Sequence, residues 1–396
     1  MKLKKILLPI LIIISNSLCA QSKFDLFKIQ YDSLASIGNV EESLIITQKM
    51  NQWALINEGD TSLNYAVSFR YIGNCYENLD TALYYYDLSK EYLVKQNRTS
   101  DPEYGRCLNN IGLCNANANR MDLAVFCYTN ALNVYENTIG KDNYDYLRTL
   151  INLGSLYFEN QKYNESESIY KKIELILEKN KLIESEQYIS NKMKLGSIYF
   201  NFKNENKAEE CYLKAYELLE KVNPDDFIDL TNILKQLGLI NESKNDYLRA
   251  ISYYEKGVET SKKIIPHNSM EYGWSLYDLA FCYKLNRDFE KSEKYFLNAL
   301  EVFKLNQGTS SPLLSDVYFD IGNMYYLKGD TNLLIQYFEE ALRIKVSNND
   351  TGTIIHANIL NTLGLKYTDK AKYFEAQMYL KEALRIRSGI LGLDHK

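Results

Sequence analysis

Apolar and small residues recur along most of the chain with a helical spacing and a long, fixed period. Within each unit these positions lie three and four residues apart, which predicts α-helices rather than β-strands. A Leu-Gly or Ile-Gly pair marks seven of the units, and Leu279-Ala280 takes its place in one more. With one spacing of 39 residues and six of 42, the second residue of the pair is Gly73, Gly112, Gly154, Gly196, Gly238, Ala280, Gly322 and Gly364.

Three further positions keep the phase of this glycine. A tyrosine follows three residues later in most units, a small residue twelve later and an aromatic residue sixteen later, as in Tyr157, Ser166 and Tyr170. Self-similarity at a period of 20–50 residues indicates a solenoid. Each unit is therefore predicted to be a helical hairpin, with the glycine in its first helix and the small and aromatic residues in its second.

These repeat positions have an expected packing role. The glycine and the small residue should let the two helices of a hairpin approach closely. We expect the aromatic rings to fill the space between neighbouring hairpins, which would account for most of the 34 tyrosines. Three dipeptides are predicted to cap and begin first helices, namely Asp101-Pro102, Asn223-Pro224 and Ser311-Pro312.

Composition and charge exclude several classes of protein. The chain of 396 residues has 46 Lys and Arg against 51 Asp and Glu, a net charge of −5, and so lacks the basic surface of a nucleic-acid-binding protein. Its 46% hydrophobic and 24% charged residues are ordinary for a folded protein and exclude a disordered or collagen-like chain. Only 5 prolines and 18 glycines favour long helices over many-turned β structure.

The N-terminus has the pattern of an export signal. Lys2, Lys4 and Lys5 precede an apolar run, and the small residue Ala20 offers a cleavage site before Gln21. The run is too short to span a bilayer, and no later segment is apolar enough to do so. Residues 1–20 therefore predict export to the periplasm or the medium, with no membrane span after cleavage. Lipidation at Cys19 is an alternative, although Leu18 is large where a lipoprotein signal needs a small residue.

The combination of Leu-Gly, Tyr, Ala and a later Tyr or Phe resembles the tetratricopeptide repeat. The 42-residue period and the segment Gly140-Lys-Asp-Asn-Tyr-Asp are similar to the repeats and linkers of kinesin light chains. The resemblance covers about residues 60–396. It implies an all-α fold, a right-handed superhelix of about nine helical hairpins.

The periodicity also predicts the domain boundaries. Residues 1–20 are the signal peptide, and residues 21–60 are a degenerate capping hairpin, in which Tyr31 takes the place of the glycine. Residues 61–396 are the array, which ends at the start of a further linker because the next pair would fall at position 406. Its eight repeats are 61–97, 98–139, 140–181, 182–223, 224–265, 266–307, 308–349 and 350–391.

The sequence holds little that could carry catalysis. Its three histidines, His267, His356 and His395, lack metal-ligand spacing, and each repeat glycine falls within a predicted helix rather than in a phosphate-binding loop. We therefore predict no enzyme activity, no metal and no cofactor.

The cysteines follow the repeat. Cys75, Cys114 and Cys282 share one repeat position and Cys127 and Cys211 another, while Cys107 precedes Cys114 by seven residues, which predicts buried thiols in the core. Because an exported protein meets oxidising conditions, a disulfide of Cys75 with Cys107 or Cys114 is an alternative.

One polar constellation is a candidate ligand site. The resemblance implies that ligands contact first-helix positions 2, 5, 6, 9, 12 and 13, counted with the glycine as position 8. Arg70, Asn74, Asn110 and Arg148 occupy such positions and are similar to the carboxylate clamp that holds a peptide C-terminus. The match departs from the family pattern, since Asn152 stands where the clamp has a second basic residue and Arg70 replaces a lysine. The alternative is a solvated polar helix face.

A second candidate site is aromatic. Trp274, Tyr277 and Phe281 take positions 2, 5 and 9 of one first helix, and Phe319 and Tyr326 take positions 5 and 12 of the next. Aromatic residues on a binding surface are frequent hot spots. The alternative is that these rings are buried against neighbouring hairpins.

The sequence therefore predicts a non-enzymatic scaffold that binds a protein or peptide in the concave groove of the solenoid, with no nucleic-acid partner. The alternative is the N-terminal sensing or recruiting module of a larger exported protein. Exported arrays of this kind resemble the N-terminal halves of bacterial proteins with a caspase-like CHAT protease or a signalling domain.

Overall fold

The structure is a computed structural model that describes residues 22–263 and 266–391, and in this part of the chain 18 α-helices are joined by short turns. No β-strand occurs in these residues. The helices form nine hairpins, which confirms the all-α hairpin architecture predicted from the period. The predicted signal peptide, residues 1–20, lies outside the described residues.

The described helices fall into two compact units, with the division after Ile183. Unit 1 holds four hairpins, and within it each helix packs against the next. Its helices are α1 (Lys23–Ser36), α2 (Val40–Glu58), α3 (Leu63–Gly73), α4 (Leu79–Lys95), α5 (Pro102–Asn117), α6 (Met121–Thr138), α7 (Tyr144–Glu159) and α8 (Tyr163–Lys179).

Unit 2 holds five hairpins with the same arrangement of consecutive helices. Its helices are α9 (Glu186–Asn201), α10 (Glu205–Val222), α11 (Phe227–Ser243), α12 (Tyr247–Ser261), α13 (Met270–Leu285), α14 (Phe289–Gln307), α15 (Pro312–Lys328), α16 (Thr331–Ser347), α17 (Ile354–Asp369) and α18 (Tyr373–Leu391).

Two of the three proline dipeptides begin helices as predicted. Helix α5 begins at Pro102, where Asp101 accepts a hydrogen bond from the Glu103 amide at 2.9 Å. Helix α15 begins at Pro312, but the predicted cap by the Ser311 side chain is wrong, since the Ser311 hydroxyl donates to Gln307 at 2.8 Å. The prediction for Asn223-Pro224 was wrong. Asn223 instead ends α10, and α11 begins three residues after the proline, where the side chain of Asp226 caps it.

In six hairpins the repeat glycine makes room for an aromatic ring of the second helix. A Cβ atom added to Gly196 would lie 2.7 Å from Cε2 of Tyr212, the aromatic residue sixteen positions later. The rings also reach the neighbouring hairpin, as predicted, since Tyr86 shares a buried cluster with Ile111 and Cys114 of α5. The close approach of the small residue is confirmed, because the Ser166 hydroxyl donates to the Gly154 carbonyl oxygen at 2.9 Å. A glycine is needed where a buried ring lies against the helix backbone.

The turn inside the hairpins has a repeat feature that the sequence analysis did not identify. Seven residues after the repeat position the backbone is left-handed, with φ of 56° at Asn119, 58° at Gln161 and 86° at Gly329. Only glycine adopts this conformation without steric cost. Most units therefore tolerate some backbone strain at this turn.

Candidate functional site

The first helices of unit 1 carry a row of paired charges rather than a free polar surface. The guanidinium of Arg70 on α3 lies 2.9 Å from the Glu103 carboxylate on α5, and the Arg70 residue is 8% exposed. Arg106 pairs with Glu103 and also with Asp145 on α7, at 2.8 Å. We call these four residues the charge ladder, and it connects three successive hairpins.

The ladder controls the ionisation of its buried acid. Burial by itself would raise the pKa of Glu103, but the positive charges of Arg70 and Arg106 outweigh it and lower the pKa below its usual value. Glu103 is therefore an ionised carboxylate that holds the Arg70 guanidinium in place.

The amides predicted for the clamp also have partners. Asn74 accepts hydrogen bonds from Asn110 at 3.0 Å and from the Tyr86 hydroxyl at 2.9 Å. Asn152 donates to Asn109 at 3.0 Å, and Asn109 accepts from Thr149 as well. Except for the bond from Tyr86 on α4, which lies within one hairpin, these bonds link the first helices of adjacent hairpins.

The structure thus places Asn74 beside Asn110 but gives Arg70 a different role from the predicted one. A clamp arginine needs an open guanidinium, whereas that of Arg70 is buried against Glu103 and lies 4.6 Å from the Tyr71 ring centre. Arg148 is half-buried, and its Nε has no hydrogen-bond partner among the described residues. Arg70 is therefore a structural ion-pair residue, and the expectation that it binds a peptide carboxylate has no support in this geometry.

The aromatic candidates of unit 2 lie on two successive first helices, three of them in ring contact on α13 and two on α15. We call Trp274, Tyr277, Phe281, Phe319 and Tyr326 the aromatic face. On α13 the rings of Trp274 and Tyr277 meet edge to face with centres 5.5 Å apart, and Tyr277 and Phe281 are stacked at 6.3 Å. On α15 Phe319 stacks on the buried ring of Phe338 at 5.5 Å.

A polar bridge fixes the spacing of α13 and α15 beneath these rings. Asp320 on α15 accepts a hydrogen bond from the Tyr277 hydroxyl and another, at 2.8 Å, from the Lys284 ammonium. The Lys284 ammonium also lies 3.8 Å from the Phe281 ring centre. Burial first, and then the charge of Asp320, raises the pKa of Tyr277. The tyrosine therefore stays a neutral hydrogen-bond donor.

The five rings differ in how much of each reaches solvent. Trp274 is 37% exposed and Tyr326 is 55% exposed, while Tyr277, Phe281 and Phe319 are half-buried. The alternative of complete burial is therefore wrong for Trp274 and Tyr326. The half-buried rings support the exposed ones, so the face is an anchored aromatic surface.

Sequence reasoning missed the residues that hold both surfaces together. Glu103 and Asp145 lie nine residues before their repeat glycines, a shared position that could have been noticed. Asp320 lies two residues before its repeat glycine, as Asp278 does before Ala280, but Lys284 has no lysine counterpart in the neighbouring repeats, so the repeat pattern signals only the acid of this pair.

The cysteines form no reactive site. All six cysteines in the described residues are buried, and none of them is in a disulfide. Cys75 lies 3.8 Å from the Thr47 hydroxyl, and Cys107 donates to the Ser89 hydroxyl, so the alternative of a bridge from Cys75 to Cys107 or Cys114 is not realised. Burial raises the pKa of Cys107 to about 11, which keeps it a thiol at neutral pH.

Neither a metal cluster nor a membrane-spanning element is found in the described part of the chain. No three His, Cys, Asp or Glu side chains there lie close enough together to hold an ion. Across residues 22–263 and 266–391, each helix is too short or too polar to traverse a bilayer.

Comparisons with known proteins agree on one family. Sequence profiles described as tetratricopeptide repeat match residues 103–179, 190–220, 233–263, 271–345 and 356–395. No curated protein matches the chain significantly.

Two solved structures show the same kind of fold. A signal-transduction ATPase with a tetratricopeptide repeat sensor from Pyrococcus horikoshii is 17% identical, with a TM-score of 0.56 over 88% of this chain and 54% of its own. The apo form of RapI is 14% identical, with a TM-score of 0.52 over 83% of this chain and 99% of its own. The matching profiles, the period and the stacked hairpins show that the chain is a tetratricopeptide repeat protein.

Proposed function

We propose that the chain is a non-enzymatic scaffold that binds a protein or peptide on the aromatic face of unit 2. Tetratricopeptide repeats are generally non-catalytic interaction modules, and five separate segments of the chain match them. The observation that carries the choice of surface is the exposure of Trp274 and Tyr326 among three half-buried rings.

The exposed rings of this face would stabilise a complex. A partner that covers large, solvent-exposed aromatic rings removes apolar surface from water, and Trp and Tyr are enriched at such binding hot spots. The bridge from Tyr277 and Lys284 to Asp320 holds the surface in place before a partner arrives. Binding therefore needs little ordering of the receptor, which favours affinity.

The test compares the partners that tagged variants capture from the native organism. We expect Trp274→Ala with Tyr326→Ala to lose partners that the wild type retains. Tyr373→Ala is the matched control, because Tyr373 is 66% exposed in unit 2 but lies outside the aromatic face. Equal capture by the wild type and the double variant, measured by quantitative mass spectrometry, would contradict the proposal.

We further propose export of the chain, on the basis of the charged and apolar pattern of residues 1–20. The alternative function, a sensing or recruiting module of a larger protein, has a parallel in the Pyrococcus protein, where such repeats are the sensor. An antibody against the repeats tests both proposals in envelope and medium fractions. A band of about 44 kDa supports a cleaved, stand-alone scaffold, and a clearly larger band supports the alternative.

A further inference from the structure

The basic side chains near the aromatic face are already neutralised. Lys284 is buried against Asp320, and Lys235 lies 2.8 Å from Asp278. The side chain of Lys345 on the neighbouring second helix α16 is 4% exposed and lies 2.6 Å from Asp350. Each of these ammonium groups has a carboxylate partner within 2.8 Å, and among them only the Lys235 side chain is exposed.

Of two exposed carboxylates on the first helices α13 and α15, Glu271 has no ion pair among the described residues, and Asp316 shares the Lys345 ammonium with Asp350. Glu271 is exposed, lies one helical turn before Trp274 on α13, and forms no ion pair within the described residues. Asp316 holds on α15 the repeat position that Trp274 holds on α13, and its side chain is 56% exposed. Its nearest cation is Lys345 at 3.6 Å, which lies closer to Asp350.

Acidic side chains therefore lie on the helix of the exposed indole and on the next first helix. Residues three apart on a helix are neighbours on its surface, so Glu271 lies beside Trp274 on α13. Asp316 occupies the equivalent position on α15, and its charge acts on Tyr277, the ring that contacts Trp274. An indole face and two carboxylates are complementary to a guanidinium or ammonium group.

We infer that the occupant of the aromatic face is a cationic peptide segment, an inference that rests on the proposed function. An arginine or lysine of the peptide lies over Trp274 between Glu271 and Asp316. Apolar side chains on either side of it cover Phe281, Phe319 and Tyr326. Charge complementarity favours a basic partner, because Glu271 is unpaired among the described residues and Asp316 only shares Lys345, whereas Lys235, Lys284 and Lys345 each have a carboxylate within 2.8 Å.

The test uses three fluorescein-labelled dodecapeptides with the same leucine and tyrosine residues, in which the intervening positions are arginine, serine or glutamate. Anisotropy at low salt should show the arginine peptide binding at least about tenfold tighter than the serine peptide. In Glu271→Gln with Asp316→Asn this preference should vanish. The control, Glu217→Gln with Glu259→Gln, makes the same charge change on the second helices α10 and α12 and should keep it.

The outcomes separate this inference from the proposed function. Equal binding of the arginine and serine peptides, both lost in Trp274→Ala, would overturn the charge preference and leave the aromatic face as the binding site. Tighter binding of the glutamate peptide, or an arginine preference that survives in Glu271→Gln with Asp316→Asn, would overturn the inference. Failure of the arginine peptide to bind would also overturn the inference. The capture experiment would then test the proposed function independently.

Discussion

The two units use equivalent first-helix positions in opposite ways. In unit 1 the residues of the charge ladder, from Arg70 to Asp145, form ion pairs that connect neighbouring hairpins. In unit 2 the corresponding surface carries aromatic rings, two of which remain exposed above the bridge to Asp320. This difference indicates that the variable positions of one scaffold can either hold hairpins together or present a surface to a partner.

Whether the first-helix side chains already have partners within the protein explains which unit can bind a ligand. A buried guanidinium loses its hydration and regains stability only through a carboxylate in the right place, as Arg70 does through Glu103. A ligand that competed for Arg70 would have to break this pair. A ligand that covers the exposed ring of Trp274 breaks no ion pair, and it removes apolar surface from water.

The largest expected effect is in the charge ladder. Glu103→Ala leaves the buried charge of Arg70 without its partner, and we expect a loss of about 3–5 kcal/mol in the free energy of unfolding of unit 1. Urea unfolding followed by Trp53 fluorescence, in a Trp274→Phe background, measures it. Arg70→Met with Glu103→Leu should recover most of the loss, because no charge is then left buried. A loss below about 1 kcal/mol would mean that the ladder does not hold unit 1 together.

The next effect compares one scaffold position in the two units. A Cβ at Gly238 would lie 2.5 Å from the Tyr254 ring, whereas at Gly154 the nearest ring atom, of Tyr170, is 3.0 Å away. We expect Gly238→Ala to destabilise unit 2 by about 1–3 kcal/mol. Gly154→Ala should be near neutral, because the gain in helix propensity, about 1 kcal/mol, offsets a milder overlap. Thermal unfolding of both variants tests this, and an equal loss of stability in the two would contradict the packing difference.

A smaller gain is expected at Gly257. This buried glycine of α12 stands nineteen residues after the repeat glycine, where unit 1 has the buried Ala131, and an added Cβ would meet only Leu234, at 3.7 Å. Gly257→Ala should therefore stabilise unit 2 by about 0.5–1 kcal/mol. Urea unfolding measured through Trp274 tests this, with Gly238→Ala as the crowded counterpart. A destabilised Gly257→Ala variant would show that the space is not available.

The smallest effect distinguishes the units by pH. The pKa of Glu103 is lowered in the folded state, so its stabilisation is present above its usual pKa, about 4.3, and is lost as the pH falls through the lower value. Burial raises the pKa of Glu242 in unit 2, so stability there falls as the pH rises from that usual value through the folded one.

Glu242→Gln keeps an acceptor for the Tyr254 hydroxyl but cannot ionise. We expect this variant to unfold at a higher temperature than the wild type at pH 7 and at the same temperature near pH 3. Glu103→Gln should show the opposite, a loss at pH 7 that shrinks in acid. Melting temperatures measured between pH 3 and pH 7 test both expectations. If the difference between each variant and the wild type does not change with pH, the two carboxylates do not distinguish the units electrostatically.

Much of the fold was predictable because its determinants are local and repeated. The recurrence of Gly196, Ala208 and Tyr212 at fixed offsets predicted a hairpin, and the structure places the ring of Tyr212 against Gly196. The contact of that ring with the glycine of its own hairpin was not predicted, because periodicity shows which positions are equivalent but not which of them touch. The start of α11 was misplaced because Asn223 and Asp226 both offer a capping side chain.

The candidate sites were predictable only as lists of positions. Arg70 and Trp274 both fell on the expected binding surface, yet one is buried in an ion pair and the other is exposed. That outcome depends on Glu103, which is 33 residues from Arg70 in the chain and is brought to it by the stacking of two hairpins.

The sequence by itself determined the helices, the nine hairpins and the family of this protein, because the spacing of small and aromatic residues acts within one hairpin and repeats. Only the tertiary structure decided which polar groups are satisfied and which rings remain open to a partner. The physical reason is that desolvation and pairing are settled between side chains of different hairpins, whose contacts exist only after the helices have stacked.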